Sequence, residues 1–167
     1  VWSTLVQINK NDYQEIENRL KKGQNVNAPV IDGNNLLILG AGQSKIDQVN
    51  LALKYKANIN LTNKNNETVL HYAVKNFDVT YRVLQANVEN KEKERLTFIN
   101  KIDKNKRTAL HNSALAYNTP EITDLLINNG ANINAKEEDG RTPSHFAAAT
   151  SNWNNLKVLL HRGADIQ

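Results

Sequence analysis

The sequence repeats itself on a fixed beat, and that limits the folds open to it more than any other property. Gly23-Gln24-Asn25-Val26-Asn27-Ala28 returns as Lys56-Ala57-Asn58-Ile59-Asn60-Leu61 and as Gly130-Ala131-Asn132-Ile133-Asn134-Ala135. It closes the chain as Gly163-Ala164-Asp165-Ile166-Gln167, with a degenerate copy, Phe98-Ile99-Asn100-Lys101, in between. The β-branched residue of each copy falls at 26, 59, 99, 133 and 166, so the intervals are 33, 40, 34 and 33. A second motif keeps the same phase: Thr68-Val69-Leu70-His71, Thr108-Ala109-Leu110-His111 and Thr142-Pro143-Ser144-His145. Two motifs in phase at this period mark a linear array of supersecondary units.

Each unit reads as two short helices and a turn. In the last one, Thr142 is placed to cap a helix N-terminus and Pro143 takes the first helical position, where its missing N–H is harmless. Ala147, Ala148 and Ala149 allow close packing. Ser151-Asn152 breaks the chain before a second helix with Leu156, Leu159 and Leu160 at helical spacing, and Gly163 supplies a left-handed stop. The fourth unit repeats this with Thr119-Pro120-Glu121 opening its second helix, Ile122, Leu125 and Leu126 as buried face, and Gly130 closing. Asp12 with Glu15 forms a capping-box pattern in the first unit. Tyr72, Phe77 and Phe146 read as core aromatics. A helix pair this small cannot bury its own apolar face, so the units must stack. The expected fold is an all-α solenoid, one array over 1–167 with units at about 1–28, 29–61, 62–101, 102–135 and 136–167.

The 167 residues contain no cysteine and no methionine. That excludes a disulfide framework, a thiolate zinc site and a catalytic thiol. No apolar run is longer than that of Leu36–Leu39, which falls far short of the roughly 18 residues of a membrane span. No signal peptide is read at the start, and because the chain opens on Val1 it is read as a fragment of a longer protein. Net charge is +4, of which the stretch from Glu89 to Arg107 holds +3 (seven basic against four acidic residues), so no basic stripe runs the length of the molecule. The 27 asparagines lie dispersed among apolar positions, which fits biased codon usage and not an aggregation-prone tract. His71, His111 and His145 hold one position in successive units. Helix layers about 8–10 Å apart keep such side chains from sharing a zinc that needs ligands at about 2.0–2.1 Å. Gly40-Ala41-Gly42 lacks the context of a phosphate loop and reads as a close-packing point. No catalytic constellation appears, so no enzyme activity, cofactor or metal is expected of this chain, and the Lys101–Arg107 cluster reads as a solvated face, not a nucleic-acid site.

The two motifs resemble the T-P-L-H opening and G-A-D-V-N-A close of the ankyrin repeat, whose consensus is about 33 residues. The resemblance covers essentially the whole chain, is strongest in the last two units and weakest in the first. It implies antiparallel helix pairs followed by a β-hairpin-like loop, a histidine that hydrogen-bonds within and between loops, and hairpin asparagines (Asn60, Asn100, Asn134) that are possible hydroxylation substrates. The departures are informative. The first unit lacks a hairpin. The second has Asn35, Leu36 and Ile38 at the Thr, Pro and His positions. Lys106 replaces a turn glycine. The third carries an insertion near 87–97, read as an extended second helix or a protruding charged loop. With apolar Trp153, Leu156 and Leu159 in the last unit and no polar cap after it, the array is expected to continue past Gln167.

The resemblance further implies that hairpin tips and first helices form a concave surface that binds another protein. Carried over by position, the binding residues are Lys64, Asn65, Glu67, Lys75 and Asn76 in unit three, Lys104, Asn105, Arg107, Leu115 and Tyr117 in unit four, and Glu138, Asp139, Arg141 and Thr150 in unit five. Asp32, Asn34 and Gln43 extend the surface into unit two. Arg107 and Tyr117 stand out as the residue types that dominate interface energetics, and the basic edge at Lys104, Lys106 and Arg107 favours an acidic partner. The expectation is a monomeric, cytoplasmic, non-catalytic interaction module or scaffold that engages neither nucleic acid nor membrane. Its composition is similar to ankyrin effectors that intracellular bacteria and large viruses direct at host proteins, which would place it in host cytoplasm. The alternative is a targeting or regulatory array of an enzyme whose catalytic domain lies outside this sequence.

Overall fold

A computed structural model of the chain describes residues 12–166, Asp12 by its backbone alone. The capping box read at Asp12 and Glu15 therefore lies outside the described side chains. Ten helices follow among the described residues. Helix α1 (Asp12–Lys21) comes first, then the pairs α2 (Leu36–Gly42) with α3 (Ile46–Lys54) and α4 (Val69–Ala73) with α5 (Phe77–Asn87). Helix α6 (Glu92–Ile99) stands alone before α7 (Ala109–Leu115) with α8 (Pro120–Asn128) and α9 (Pro143–Ala149) with α10 (Trp153–His161). The first helices α2, α4, α7 and α9 pack in one file and the second helices α1, α3, α5, α8 and α10 in another. The core runs between the files through Leu37, Leu51, Leu70, Val83, Leu110, Leu126 and Leu159, each at most 1 % exposed. This is the all-α stack that the sequence pattern implies.

Each first helix begins the same way. Thr68, Thr108 and Thr142 form reciprocal capping boxes with His71, His111 and His145, so histidine takes the place of the usual Glu or Gln. In the second unit Asn35 does the work of the missing threonine: its Oδ1 accepts the Ile38 N–H at 3.0 Å. Gly40 and Gly42 are packing points, because a Cβ there would lie 3.1 Å from Gln48 and 3.2 Å from Tyr72.

The asparagines of the closing motif have structural work that coding bias does not describe. Within a unit, Oδ1 of Asn58 and Asn132 accepts the N–H two residues on, at 2.9 and 3.1 Å. Between units, Oδ1 of Asn27, Asn100 and Asn134 accepts the N–H of Asn58, Asn132 and Asp165 at 2.7–2.9 Å. Among the described residues Asn60 makes no such bond to the following unit, where residue 98 lies inside α6.

The insertion is neither a longer α5 nor an open loop. Asn87 is 2 % exposed. Its amide donates to the Arg95 carbonyl at 3.3 Å and its Oδ1 accepts from Asn90 at 3.1 Å, which turns the chain back into a separate helix. Phe98 and Ile99 of α6 enter the core, while Lys91, Glu92, Lys93 and Glu94 face outward. Leu96 closes on Gly130, whose missing Cβ leaves the space it needs. Phe77, read as core, is 45 % exposed. The buried face of α5 is Val79, Thr80, Val83, Leu84 and Asn87, and Phe77 stacks instead on Tyr81 four residues on, centroids 6.2 Å apart.

The outer face of the fifth unit is apolar. Ile166 is 85 % and Leu160 40 % exposed, whereas Val26 and Ile59, at the position of Ile166, are each 7 % exposed because a following unit covers them.

Candidate functional site

The loops between helix pairs are built on one device that the sequence reading missed. Asn63, Asp103 and Glu137 each lie five residues before a capping threonine and are 5–8 % exposed. One side-chain oxygen of each accepts the backbone N–H groups two and four residues on: Asn65 and Glu67, Asn105 and Arg107, Asp139 and Arg141, at 2.8–3.1 Å. The spacing to threonine was visible in the sequence, but three different residue types hid the common role. The Arg141 guanidinium holds the Glu137 carboxyl down to about 2, with the two backbone N–H groups adding to it.

These loops then join edge to edge. Lys64 N–H donates to Asp32 O, Lys104 N–H to Asn65 O and Glu138 N–H to Asn105 O, at 2.9–3.1 Å. Gly33 is needed here, since a Cβ on it would come within 2.9 Å of the Lys64 nitrogen. Each tip thereby fixes the next, and the side chains of Lys64, Asn65, Lys104, Asn105, Glu138 and Asp139 stand exposed in a row.

The histidines tie the loops to the helices. Nδ1 of His71 and His111 accepts the N–H of Thr68 and Thr108, both at 3.1 Å. A backbone N–H can only donate, so the ring proton sits on Nε2, which donates to the carbonyl of Arg107 (3.0 Å) and of Arg141 (3.1 Å) one unit along. Both rings are kept neutral, with burial pushing their pKa below the ordinary value. His145 makes the same bond to Thr142 N–H at 3.0 Å. His161 is exposed on α10, as a solvated residue should be. Among the described residues no group of three His, Cys, Asp or Glu side chains could hold a metal, and no helix is long and apolar enough to cross a membrane.

The residues carried over as a binding surface fall into two sets. Lys64, Asn65, Lys75, Lys104, Asn105, Leu115, Tyr117, Glu138 and Asp139 are exposed, Tyr117 to 90 %. The others carry internal bonds as well. Glu67 accepts from Tyr72 Oη (2.6 Å) and Asn63 Nδ2 (2.8 Å). Asn76 caps α5, Thr150 donates to the Phe146 carbonyl, and Arg141 pairs with Glu137 and Asp139. Arg107 lies on the Phe146 ring, its Cζ 5.0 Å from the centroid, with Arg141 at 5.1 Å from the same ring. That buried ring was read as core; its contact with two guanidinium groups was not foreseen.

Family models for ankyrin repeats match residues 80–167 (three copies) and 37–85 (many copies), and the chain belongs to this family. It is 30 % identical over 155 residues to the Gallus gallus nuclear factor NF-kappa-B p105 subunit, a match covering 90 % of the chain and 15 % of that protein. Protein glp-1 of Caenorhabditis elegans is 31 % identical over 156 residues, 87 % of the chain and 12 % of the relative. A putative ankyrin repeat protein of fowlpox virus is 31 % identical over 118 residues, covering 71 % and 26 %. The chain thus spans a small fraction of the curated relatives it matches. Ankyrin repeats are in general protein–protein interaction modules.

Proposed function

We propose that this array is a non-catalytic module that binds a partner protein with the face made by its hairpin tips and first helices, and that the partner's surface is acidic. The observation that carries the reading is the bonded row of tips. Because each loop is fixed by a buried side chain and by its neighbour, the backbone that presents the exposed side chains is ordered before any partner arrives, and little of its conformational entropy is lost on docking. Among the described residues Lys104, Lys106 and Arg107 form no ion pair with a carboxylate, which supports electrostatic steering of an acidic surface. Capture of proteins from cell lysate, compared with an Arg107→Glu/Tyr117→Ala variant that keeps its melting temperature, tests this. Loss of the captured protein in the variant is expected; equal capture by both would overturn the assignment of the face.

A further inference from the structure

On the hairpin and first-helix face, α4 and α7, neighbours in one file, part to leave a cleft of about 240 Å³. Its floor is apolar: Val74, Ala116 and Leu115, the last 40 % exposed. Both walls are tied down. Tyr72 is held to Glu67, and the burial and carboxylate that surround its hydroxyl push its pKa up to about 12. Opposite, the Asn112 amide holds the His71 carbonyl at 3.1 Å. Lys75 stands exposed at the rim.

The charges around the cleft are unevenly matched. Of the carboxylates in the loops of units three and four, Glu67 is bonded to Tyr72 and Asn63, and Asp103 is buried with its Oδ1 on two backbone N–H groups. Lys75, Lys104, Lys106 and Arg107 form no ion pair among the described residues, and Arg107 Nε is buried without an acceptor. The tip of unit five contributes one exposed carboxylate outside an ion pair among the described residues, Glu138. Lys75 therefore stands at the rim of an apolar cleft whose polar lining is already bonded, and the loop of Lys104, Lys106 and Arg107 adjoins it through the Arg107 carbonyl, 3.0 Å from His71 Nε2. An apolar group loses nothing there, and carboxylates on either side of it gain partners.

Resting on the reading above, we infer that this cleft seats one apolar side chain of an extended acidic segment in the partner protein, with flanking carboxylates on Lys75 and, one unit along, Arg107. The probe is a library of random twelve-residue peptides displayed on phage and selected against the chain, followed by Kd measurements on enriched peptides at low and high salt. Enriched sequences should carry one aliphatic or aromatic residue between Asp or Glu. Their affinity should fall about tenfold or more with Leu115→Glu and again with Lys75→Glu, and should weaken with salt. Lys75 is exposed, so its variant reports even if Leu115→Glu fails to fold. Neutral or basic consensus sequences, no enrichment over blank support, or affinities indifferent to both substitutions would overturn the cleft. Peptides indifferent to the cleft variants but weakened by Arg107→Glu/Tyr117→Ala leave the broader face standing. Indifference to every one of these changes removes both.

Discussion

At the scale of single residues, the histidines show how one side chain can join two units. The neutral rings of His71 and His111 each accept from their own helix cap and donate to the next loop, so protonation at Nδ1 would set an N–H against an N–H. The pKa of His71 and His111 is lowered from an ordinary 6.5, chiefly by burial. Below that value the unfolded chain binds protons that the folded chain refuses, so stability is full above about pH 6.5 and declines as pH falls below it. Glu137 adds a second loss of the same sign between its ordinary 4.5 and about 2. Chemical denaturation at stepped pH should show this two-stage decline. His111→Ala should cost about 2–4 kcal/mol at neutral pH, because Thr108 N–H and the Arg141 carbonyl are left unpaired in a buried place. Lys106 holds a left-handed φ of 59° where other tips place Gly33 and Gly140. Lys106→Gly should therefore raise stability by up to about 1 kcal/mol. Gly33→Ala should be the more damaging of two matched changes. Both Gly33 and Gly140 have φ near 80°, but a methyl at Gly33 meets the backbone of the next loop and one at Gly140 meets nothing within 4 Å.

Between elements, much of the coupling is made by amides reaching across units. Asn155 is fully buried on α10, with its Nδ2 2.7 Å from the Ser113 carbonyl and its Oδ1 accepting Thr119 N–H. Asn152 Nδ2 takes the carbonyls of Ala114 and Ala116. Together they satisfy the orphan carbonyls at the end of α7 from the next unit. Asn155→Leu keeps much of the volume and removes the bonds, so urea unfolding should show a loss of about 2–3 kcal/mol. An unchanged midpoint would mean that water replaces the amide. Helix caps, the proline starts and the buried stripe of α8 were legible in the sequence, since they depend on local spacing. The interruption before α6 was not, because Asn87 turns the chain through bonds to residues that periodicity does not weigh. Phe77 failed for a related reason: hydrophobicity marked it as core, but the helix face was set by Val79, Val83 and Leu84.

For the molecule as a whole, stability is a sum over neighbours, and among the described residues α1 and α10 pack against one neighbouring unit each. Amides of α4, α5 and α7 should exchange hydrogen more slowly than those of α1 and α10; uniform protection would refute a nearest-neighbour stack. The apolar outer face of the fifth unit carries a related expectation. Adding one further unit of the same pattern after Gln167 should raise the melting temperature by covering Leu160 and Ile166, and no change would show that the face does not stack.

The sequence by itself determined the unit, its period, the stacked all-α architecture and the positions of the tips, because each follows from residue types at fixed intervals along the chain. Tertiary structure alone decided which of the exposed side chains are unpaired, that Glu67 and Arg141 are engaged within the loops, and that α4 and α7 part around Leu115. The engagement of Glu67 and Arg141 depends on how each loop folds back on itself, and the parting of α4 and α7 on how one unit leans on the next, with Asn112 reaching the His71 carbonyl 41 positions away. Spacing along the chain encodes that a contact will be made there. Which hydrogen-bonding groups it leaves over is decided only when the units meet.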